Sequence, residues 1–176
     1  MKEVLFLLLT LSYSIVYAQN PSEIQSHLLN LVNEERANRG LSKFEKDILI
    51  NNGAKIQADY LSTIRSYKQV SHTNPNPKYR TASNRIKIAS NSKYSISSEN
   101  ITAFNFDATK TDLEIAVQAH NNFMNSKYHK MNVLKDHTDI FNEGYILPSQ
   151  YGHFVVYNKR LNAIIVVQMF PSLNYN

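Results

Sequence analysis

The stretch GHFVVYNKRLNAIIVVQMF, residues 152–170, has the pattern of two β-strands joined by a short loop. Its two apolar runs, HFVVY (153–157) and AIIVVQMF (163–170), are rich in β-branched and aromatic residues, which favour extended backbone. NKRLN between them has the composition of a hairpin loop. FNEGYIL, residues 141–147, indicates a further strand. The C-terminal part of the chain therefore predicts an antiparallel β meander.

A helix is predicted at about 22–39, well before these strands. Ser22 and Gln25 have the spacing of a capping box, in which two side chains satisfy free backbone N–H groups at a helix start. Gly40 is typical of the residue at which such a helix ends. The apolar residues of this segment recur at helical spacing on one face: Ile24, Leu28, Leu31 and Val32.

Two more helices are predicted, at about 46–65 and 111–126. The first of them carries a stripe of small apolar residues that allows close packing. Thr111 and Glu114 form a capping box for the second. Helices followed by a β meander predict an α+β fold, in which an antiparallel sheet is covered by helices.

The segments between these elements are polar. Residues 66–97 predict a long loop that carries one short helix, at 82–89, and loops of this length are usually functional or mobile. Residues 127–139 are again polar, with Met131, Val133 and Leu134 as apolar anchors. ITAF, residues 101–104, is apolar and predicts either a short strand or the approach to the next helix.

The first eighteen residues predict a secretory signal peptide. Lys2 precedes the apolar run VLFLLLTLSYSIV, and Ala18 offers a small residue at the cleavage point, with Gln19 as the new N-terminus. The apolar run is too short for a comfortable membrane span. We therefore expect a secreted protein, extracellular or periplasmic, with one domain at 19–176.

Composition and charge exclude several classes of site. The chain of 176 residues contains no cysteine, which excludes disulfides, a thiolate nucleophile and a cysteine-based zinc site. Its formal charge is +5, carried by scattered lysines, which favours solubility and weak association with acidic surfaces. Nucleic-acid binding needs a dense basic stripe or a known module, and the sequence shows neither.

The candidate site consists of Glu99 in the stretch SSENITAF (97–104) and two distant histidines, His72 and His129. Two imidazoles and a carboxylate suit a divalent metal such as Zn²⁺ with water in the open position. Without metal, a carboxylate beside an imidazole fixes its tautomer and makes it a possible general base. Alternatively, Glu99 only accepts backbone N–H groups and holds its loop, and the histidines are ordinary loop residues.

The motifs occur in the order typical of one known family. They are LLNLVNEERANRGLSKFEKD (28–47), SH (71–72), SENI (98–101), FMNSKYHKMNVL (123–134) and the closing hairpin at 152–170. In this order the chain resembles the bacterial branch of the CAP superfamily, the SCP-like domain of cysteine-rich secretory, antigen 5 and pathogenesis-related proteins. The resemblance implies a three-layer α-β-α sandwich with a central antiparallel sheet.

The resemblance also implies a cleft that holds two histidines and one or two acidic residues. The first histidine of the family falls on His72, the glutamate on Glu99 and the second histidine on His129. His153, in GHF, is the alternative for the second histidine. Eukaryotic members carry another Glu in the helix before the second histidine, and this chain has no match for it. Ser98 and Phe123 stand where the family usually has Gly and Trp.

Three functions remain open at this stage. The first is a secreted binding protein for a small ligand, a lipid or a divalent metal, and the lipid version predicts an apolar groove lined by Tyr128, Phe104 or Phe106. The second is a metal- or His/Glu-assisted hydrolase acting on extracellular peptide or envelope material. The third is a host or cell-surface interaction protein with a non-functional cleft. We rank the first highest, because the sequence shows no nucleophile motif and no oxyanion site.

Overall fold

The computed structural model describes residues 19–135, 145–146 and 149–174. The predicted signal peptide and most of the predicted strand at 141–147 lie outside the described residues. Within the described part, no helix is both long and apolar enough to cross a membrane.

The described residues form five α-helices and five strands. The helices are α1 (Pro21–Ala37), α2 (Ile48–Leu61), α3 (Ala82–Ala89), α4 (Asp112–Asn125) and α5 (Lys127–Val133). The strands are β1 (Glu45–Lys46), β2 (Ile96–Asn105), β3 (Tyr145–Ile146), β4 (Gln150–Asn158) and β5 (Ala163–Asn174).

The three long strands form the antiparallel centre of one sheet. Its order is β1-β4-β5-β2, and β3 pairs with the end of β5. In the register of β2 and β5, Glu99 lies opposite Met169 and Asn100 lies opposite Gln168. The short β1 adds to β4 in parallel. The predicted hairpin and the central antiparallel sheet are confirmed.

Helices cover both faces of this sheet, as expected for an α-β-α sandwich. Successive side chains of a strand point to opposite faces of the sheet, so β5 contributes residues to a core on each face. Val166 packs with Leu28 of α1 and Phe123 of α4 in one core. Val167 packs with residues of α2 and α3 in the other. The predicted fold class, α+β with three layers, is confirmed.

The packing of α2 on the sheet depends on Gly152 in β4. A Cβ atom at this position would lie 2.4 Å from the carbonyl carbon of Ile50 and 2.5 Å from the backbone nitrogen of Asn51. Only a residue without a side chain allows this approach of helix to strand.

The predicted start of α1 is wrong in its capping residue. Asn20 caps the helix, because its side-chain oxygen accepts the N–H of Ser22 at 3.0 Å and Pro21 occupies the first turn. Gln25 does not reach back to the helix start as a capping box requires; its amide donates to the carbonyl of Pro21. The helix also ends at Ala37, two residues earlier than predicted.

Two other boundaries differ from the predictions for local reasons. Helix α2 begins only at Ile48 because Asp47 caps it, accepting the N–H of Leu49 at 2.7 Å, and it ends at Leu61. In the polar segment at 127–139, for which no helix was predicted, residues 127–133 form α5. The capping box of Thr111 and Glu114 and the short helix at 82–89 are confirmed.

Candidate functional site

Glu99 is buried on the face of the sheet that α2 and α3 cover. Its side chain is 2% exposed and both of its oxygens have partners. Oε1 lies 2.9 Å from Nδ1 of His72, and Oε2 accepts a hydrogen bond from Nη2 of Arg85 at 2.5 Å. A buried carboxylate is stable only when it is compensated, and the fully buried Arg85 provides the compensating charge.

Arg85 also holds the loop that carries His72. Its Nη1 donates to the carbonyl of Tyr79 at 2.9 Å, and also to those of His72 at 3.3 Å and Arg80 at 3.4 Å. The guanidinium therefore ties residues 72–80 to β2 through Glu99. Arg85 was not among the predicted site residues. Its position next to the apolar Ile86 in a short predicted helix is a signal for burial. Since arginine is buried only when it is paired, this position also indicates a charged partner.

His72 presents one ring nitrogen to the surface. Its side chain is 57% exposed, and only Nδ1 is bonded to Glu99. Since an ionised carboxylate is purely an acceptor, Nδ1 carries the proton and Nε2 is left as an acceptor in the neutral ring. No described residue forms a hydrogen bond with Nε2. This nitrogen is available to a ligand.

His129 lies on α5, which packs against the opposite face of the sheet. It is half-buried, and its ring meets Phe123 edge-on with the centroids 5.6 Å apart. Burial lowers the pKa of His129, and the nearby His72 lowers it further. His72 therefore contributes to the electrostatic surroundings of His129. Among the described residues, however, no hydrogen bond joins His129 to Glu99.

Asn100 holds α5 in this position. Its Nδ2 donates to the carbonyl of His129 and to Oε1 of Gln168, both at 3.0 Å, and its Oδ1 accepts from Asn132 at 2.7 Å. Gln168 in turn donates to the hydroxyl of Tyr151 at 2.8 Å. This buried chain was missed by the sequence analysis, because polar residues in a strand pattern are normally read as its solvent-facing side.

His153, the alternative second histidine, belongs to the core instead. It is fully buried and its Nε2 lies 2.7 Å from the carbonyl oxygen of Gln25. Its ring stacks on Tyr151 with centroids 4.9 Å apart. Burial lowers the pKa of His153 to about 4, so the ring is neutral at physiological pH. Its contacts include neither His72 nor Glu99.

The expected metal ligands do not fit a metal. The described part of the chain contains no group of three or more His, Asp or Glu side chains that could hold an ion. The reason is visible at Glu99, where Arg85 and His72 occupy both oxygens. A cation at this carboxylate would have to displace a buried guanidinium. No role for a metal follows from this arrangement.

Two of the three residues expected to line a lipid groove belong to one core, since Phe106 packs against the cluster that contains Phe104. Tyr128 is 74% exposed on α5, and Phe104 is buried in the core beneath α1 and α4. Phe106 packs on Tyr157 with the ring centroids 4.9 Å apart. The three therefore do not define a common groove.

Similarity to known proteins is found for the three-dimensional structure and not for the sequence. No protein-family model and no curated protein matches the sequence. Solved structures do match, and one is an outer surface protein from Borrelia burgdorferi, with a TM-score of 0.64 at 19% identity over 86% of this chain and 94% of that one. Another is an extracellular protein containing a SCP domain from Bacillus anthracis, with a TM-score of 0.56 at 21% identity. The chain has the SCP-like fold.

A third neighbour of this fold is a cysteine-rich secretory protein from Staphylococcus aureus, with a TM-score of 0.51 at 17% identity over 88% of this chain. The match covers 85% of this chain for the Bacillus protein, but only 40% of that protein and 39% of the Staphylococcus one. The described residues thus share the SCP-like architecture with proteins of quite different length. At these identities the likeness concerns the fold.

Proposed function

We propose that this chain is an exported SCP-fold binding protein, and that a cleft between His72 and His129 binds a small polar ligand. The observation that carries the proposal is the state of His72. Glu99 holds its Nδ1 at 2.9 Å, yet the side chain is 57% exposed. An oriented, accessible imidazole nitrogen is a suitable hydrogen-bonding group for a ligand, and Arg85 and Glu99 keep it in place.

Binding is favoured over hydrolysis because the nearby hydroxyl groups are engaged elsewhere. The hydroxyl of Ser71 accepts the N–H of Thr73 at 3.0 Å, and that of Ser97 donates to the carbonyl of Ser98 at 2.9 Å. In the described part of the chain, no Ser or Thr hydroxyl bonds to either cleft imidazole. A hydrolase needs a nucleophile or activated water beside its base.

Two observations support export, one from the N-terminal sequence and one from the similar solved structures. The N-terminal sequence has the charged start, apolar run and small residue of a signal peptide. Two of the similar solved structures are described as an outer surface protein and an extracellular protein. We infer that the cleft meets its ligand outside the cytoplasm.

Native mass spectrometry of residues 19–176 tests the proposal. The protein is purified gently without chelator, beside the double variant His72→Ala with His129→Ala and the matched control His27→Ala, which removes a half-buried histidine of α1. We expect a small-molecule adduct on the wild type and on the control, and its loss in the double variant. An adduct that the double variant retains would place the ligand elsewhere.

A zinc titration followed by native mass spectrometry tests whether His72 and His129 bind a metal instead of an organic ligand. Because the Glu99 oxygens are occupied, we expect no stoichiometric zinc adduct that depends on His72 and His129. Such an adduct would overturn the conclusion that the cleft does not suit a metal. If neither an organic adduct nor zinc appears on the wild type in repeated preparations, the small-ligand proposal is wrong.

A further inference from the structure

Strand β2 is an open edge of the sheet within the described residues. It pairs with β5 and with no other described strand. The N–H of Ser97 points away from β5, since it donates to the hydroxyl of Ser83 at 3.2 Å. The N–H of Phe106 lies on the β5 side, where it donates to the carbonyl of Asn162 at 2.8 Å.

These two contacts give the direction of the other backbone groups. Successive residues of a strand turn their N–H and C=O groups to opposite sides. Odd-numbered residues therefore point outward like Ser97, and even-numbered residues point toward β5 like Phe106. Glu99, Ile101 and Ala103 present outward N–H groups, and no described residue hydrogen-bonds to them. Such a row of free groups is a template for an added strand.

The edge has free access near its C-terminal end. Thr102 and Ala103 are half-buried and Asn105 is exposed. On one side of the edge runs the segment that carries His72, and on the other side lie α4 and α5. The hydroxyl of Tyr67 donates to Asn105 at 2.7 Å, and Asn122 of α4 donates to Thr102 at 3.1 Å, which places these two flanks beside β2.

Among the described residues, both flanks carry positive charge that no acidic side chain opposes. Between Asp59 and Asp107 the only acidic residue is Glu99, whose charge Arg85 neutralises, and no acidic residue lies between Glu114 and Lys135. The exposed or half-buried cations of the flanks form no ion pair with any described residue; they are Arg65, Lys68, Lys78, Arg80, Lys87, Lys127 and Lys130. The charge asymmetry is local, because most acidic residues of the described chain lie elsewhere.

We propose that the β2 edge binds an acidic polypeptide segment in extended conformation, which adds as a further strand of the sheet. Free N–H groups select a peptide backbone, and the basic flanks select acidic side chains on it. A partner strand projects its side chains alternately toward the His72 segment and toward α5. This proposal differs from the small-ligand one in the groups that bind, because the strand uses backbone N–H groups of β2, between the two sides of the cleft, rather than the imidazoles.

Fluorescence anisotropy with short labelled peptides tests this inference. The probe is an eight-residue peptide of alternating Glu and Thr, and the matched probe replaces each Glu by Lys. Two further probes keep the glutamates but are N-methylated at the odd or at the even residues, which removes the N–H groups on one side of the strand. We expect the lysine peptide, and one of the two N-methylated peptides, to bind at least tenfold more weakly than the parent.

Protein variants locate the site. Lys127→Glu with Lys130→Glu should weaken binding at least fivefold, whereas Lys43→Glu with Lys159→Glu makes the same change in net charge and should leave binding within about twofold. Ala103→Pro removes one outward N–H and should also weaken binding, with the thermal unfolding of this variant measured beside it. The N-methylated probes separate this proposal from the small-ligand one, because a ligand that binds only the imidazoles does not depend on free N–H groups along a strand.

Two results would overturn the inference. Equal binding of the parent and both N-methylated peptides would mean that the basic face attracts any polyanion, such as an acidic glycan or lipid surface, without adding a strand. Failure of the acidic peptide to bind at millimolar concentration at low salt would exclude the site altogether. The N-methylated probes test strand addition on the wild-type protein, so the test remains valid even if Ala103→Pro fails to fold.

Discussion

Glu99 and Asn100 are consecutive residues of β2, and their buried side chains hold the two halves of the candidate site on opposite faces of the sheet. Glu99 contacts Arg85 and His72 on the face of α2 and α3. Asn100 bonds to the backbone of His129 on the face of α5. A slip of one residue in the pairing of β2 would exchange the two faces, so the register of this strand determines the site.

Removing Arg85 should destabilise the protein strongly. Arg85→Met leaves the carboxylate of Glu99 buried without its cation, and we expect a loss of about 3 to 5 kcal/mol in the free energy of unfolding. Adding Glu99→Leu to this variant removes the unpaired charge and should restore a large part of the loss. Urea denaturation of the single and double variants measures both effects. Additive losses would show that the pair does not act as a unit.

The sequence predicts the sheet and most helices because these depend on local patterns. The β-branched runs at 153–157 and 163–170 and the capping box at Thr111 are local signals, and the structure confirms them. Helix α5 was missed because tertiary contacts support it: Arg36 donates from helix α1 to the carbonyl of Val133 at 2.7 Å. No pattern within residues 127–133 reports a partner so far away in the chain.

The candidate site was predictable in part. Family order pointed to His72 and Glu99, and the structure places them in hydrogen-bond contact. Arg85 and Asn100 were not predicted, since whether a polar residue is buried depends on distant partners. The carboxylate looked like a metal ligand in the sequence. It is committed to Arg85 in the fold, and only the three-dimensional arrangement shows this.

Asn100→Ala should loosen α5 while leaving the other face of the sheet intact. The variant removes the bonds to the carbonyl of His129 and to Gln168 and the bond from Asn132, and leaves the buried Gln168 without one partner. We expect a loss of about 3 kcal/mol in stability, from three hydrogen bonds at about 1 kcal/mol each. Hydrogen exchange should rise at residues 127–133 and change little at 82–89. Equal increases in both helices would show that Asn100 supports the whole sheet instead.

Gly152→Ala and Gly53→Ala form a matched pair that tests the packing of α2. At Gly152 the added Cβ meets backbone atoms of Ile50 and Asn51, which cannot move without shifting the helix, so we expect a loss of about 3 kcal/mol or more. At Gly53 it meets Sδ of Met169 at 2.9 Å, the flexible part of a side chain, and the helix gains about 1 kcal/mol of intrinsic propensity. Thermal unfolding of both variants should show a large effect only at Gly152.

The buried His153 should make the protein sensitive to mild acid. Its pKa is lowered to about 4 in the folded state from an ordinary value of 6.5. Between these values the unfolded chain binds a proton that the folded chain does not, so stability is intact above pH 6.5 and falls as the pH drops toward 4. Linkage gives a loss on the order of 3 kcal/mol once the pH is below about 4. Carboxylates with lowered pKa, such as Asp107 and Glu114, add to the acid loss.

A variant isolates the contribution of the histidine. His153→Gln removes the titrating ring, and its unfolding free energy should fall by about 2 kcal/mol less than that of the wild type between about pH 7.5 and about pH 4.5. His27→Gln, which changes a half-buried histidine of α1, controls for the effect of replacing a histidine by glutamine. Urea denaturation at the two pH values gives the comparison. Parallel profiles for wild type and His153→Gln would mean that folding does not lower the pKa of His153.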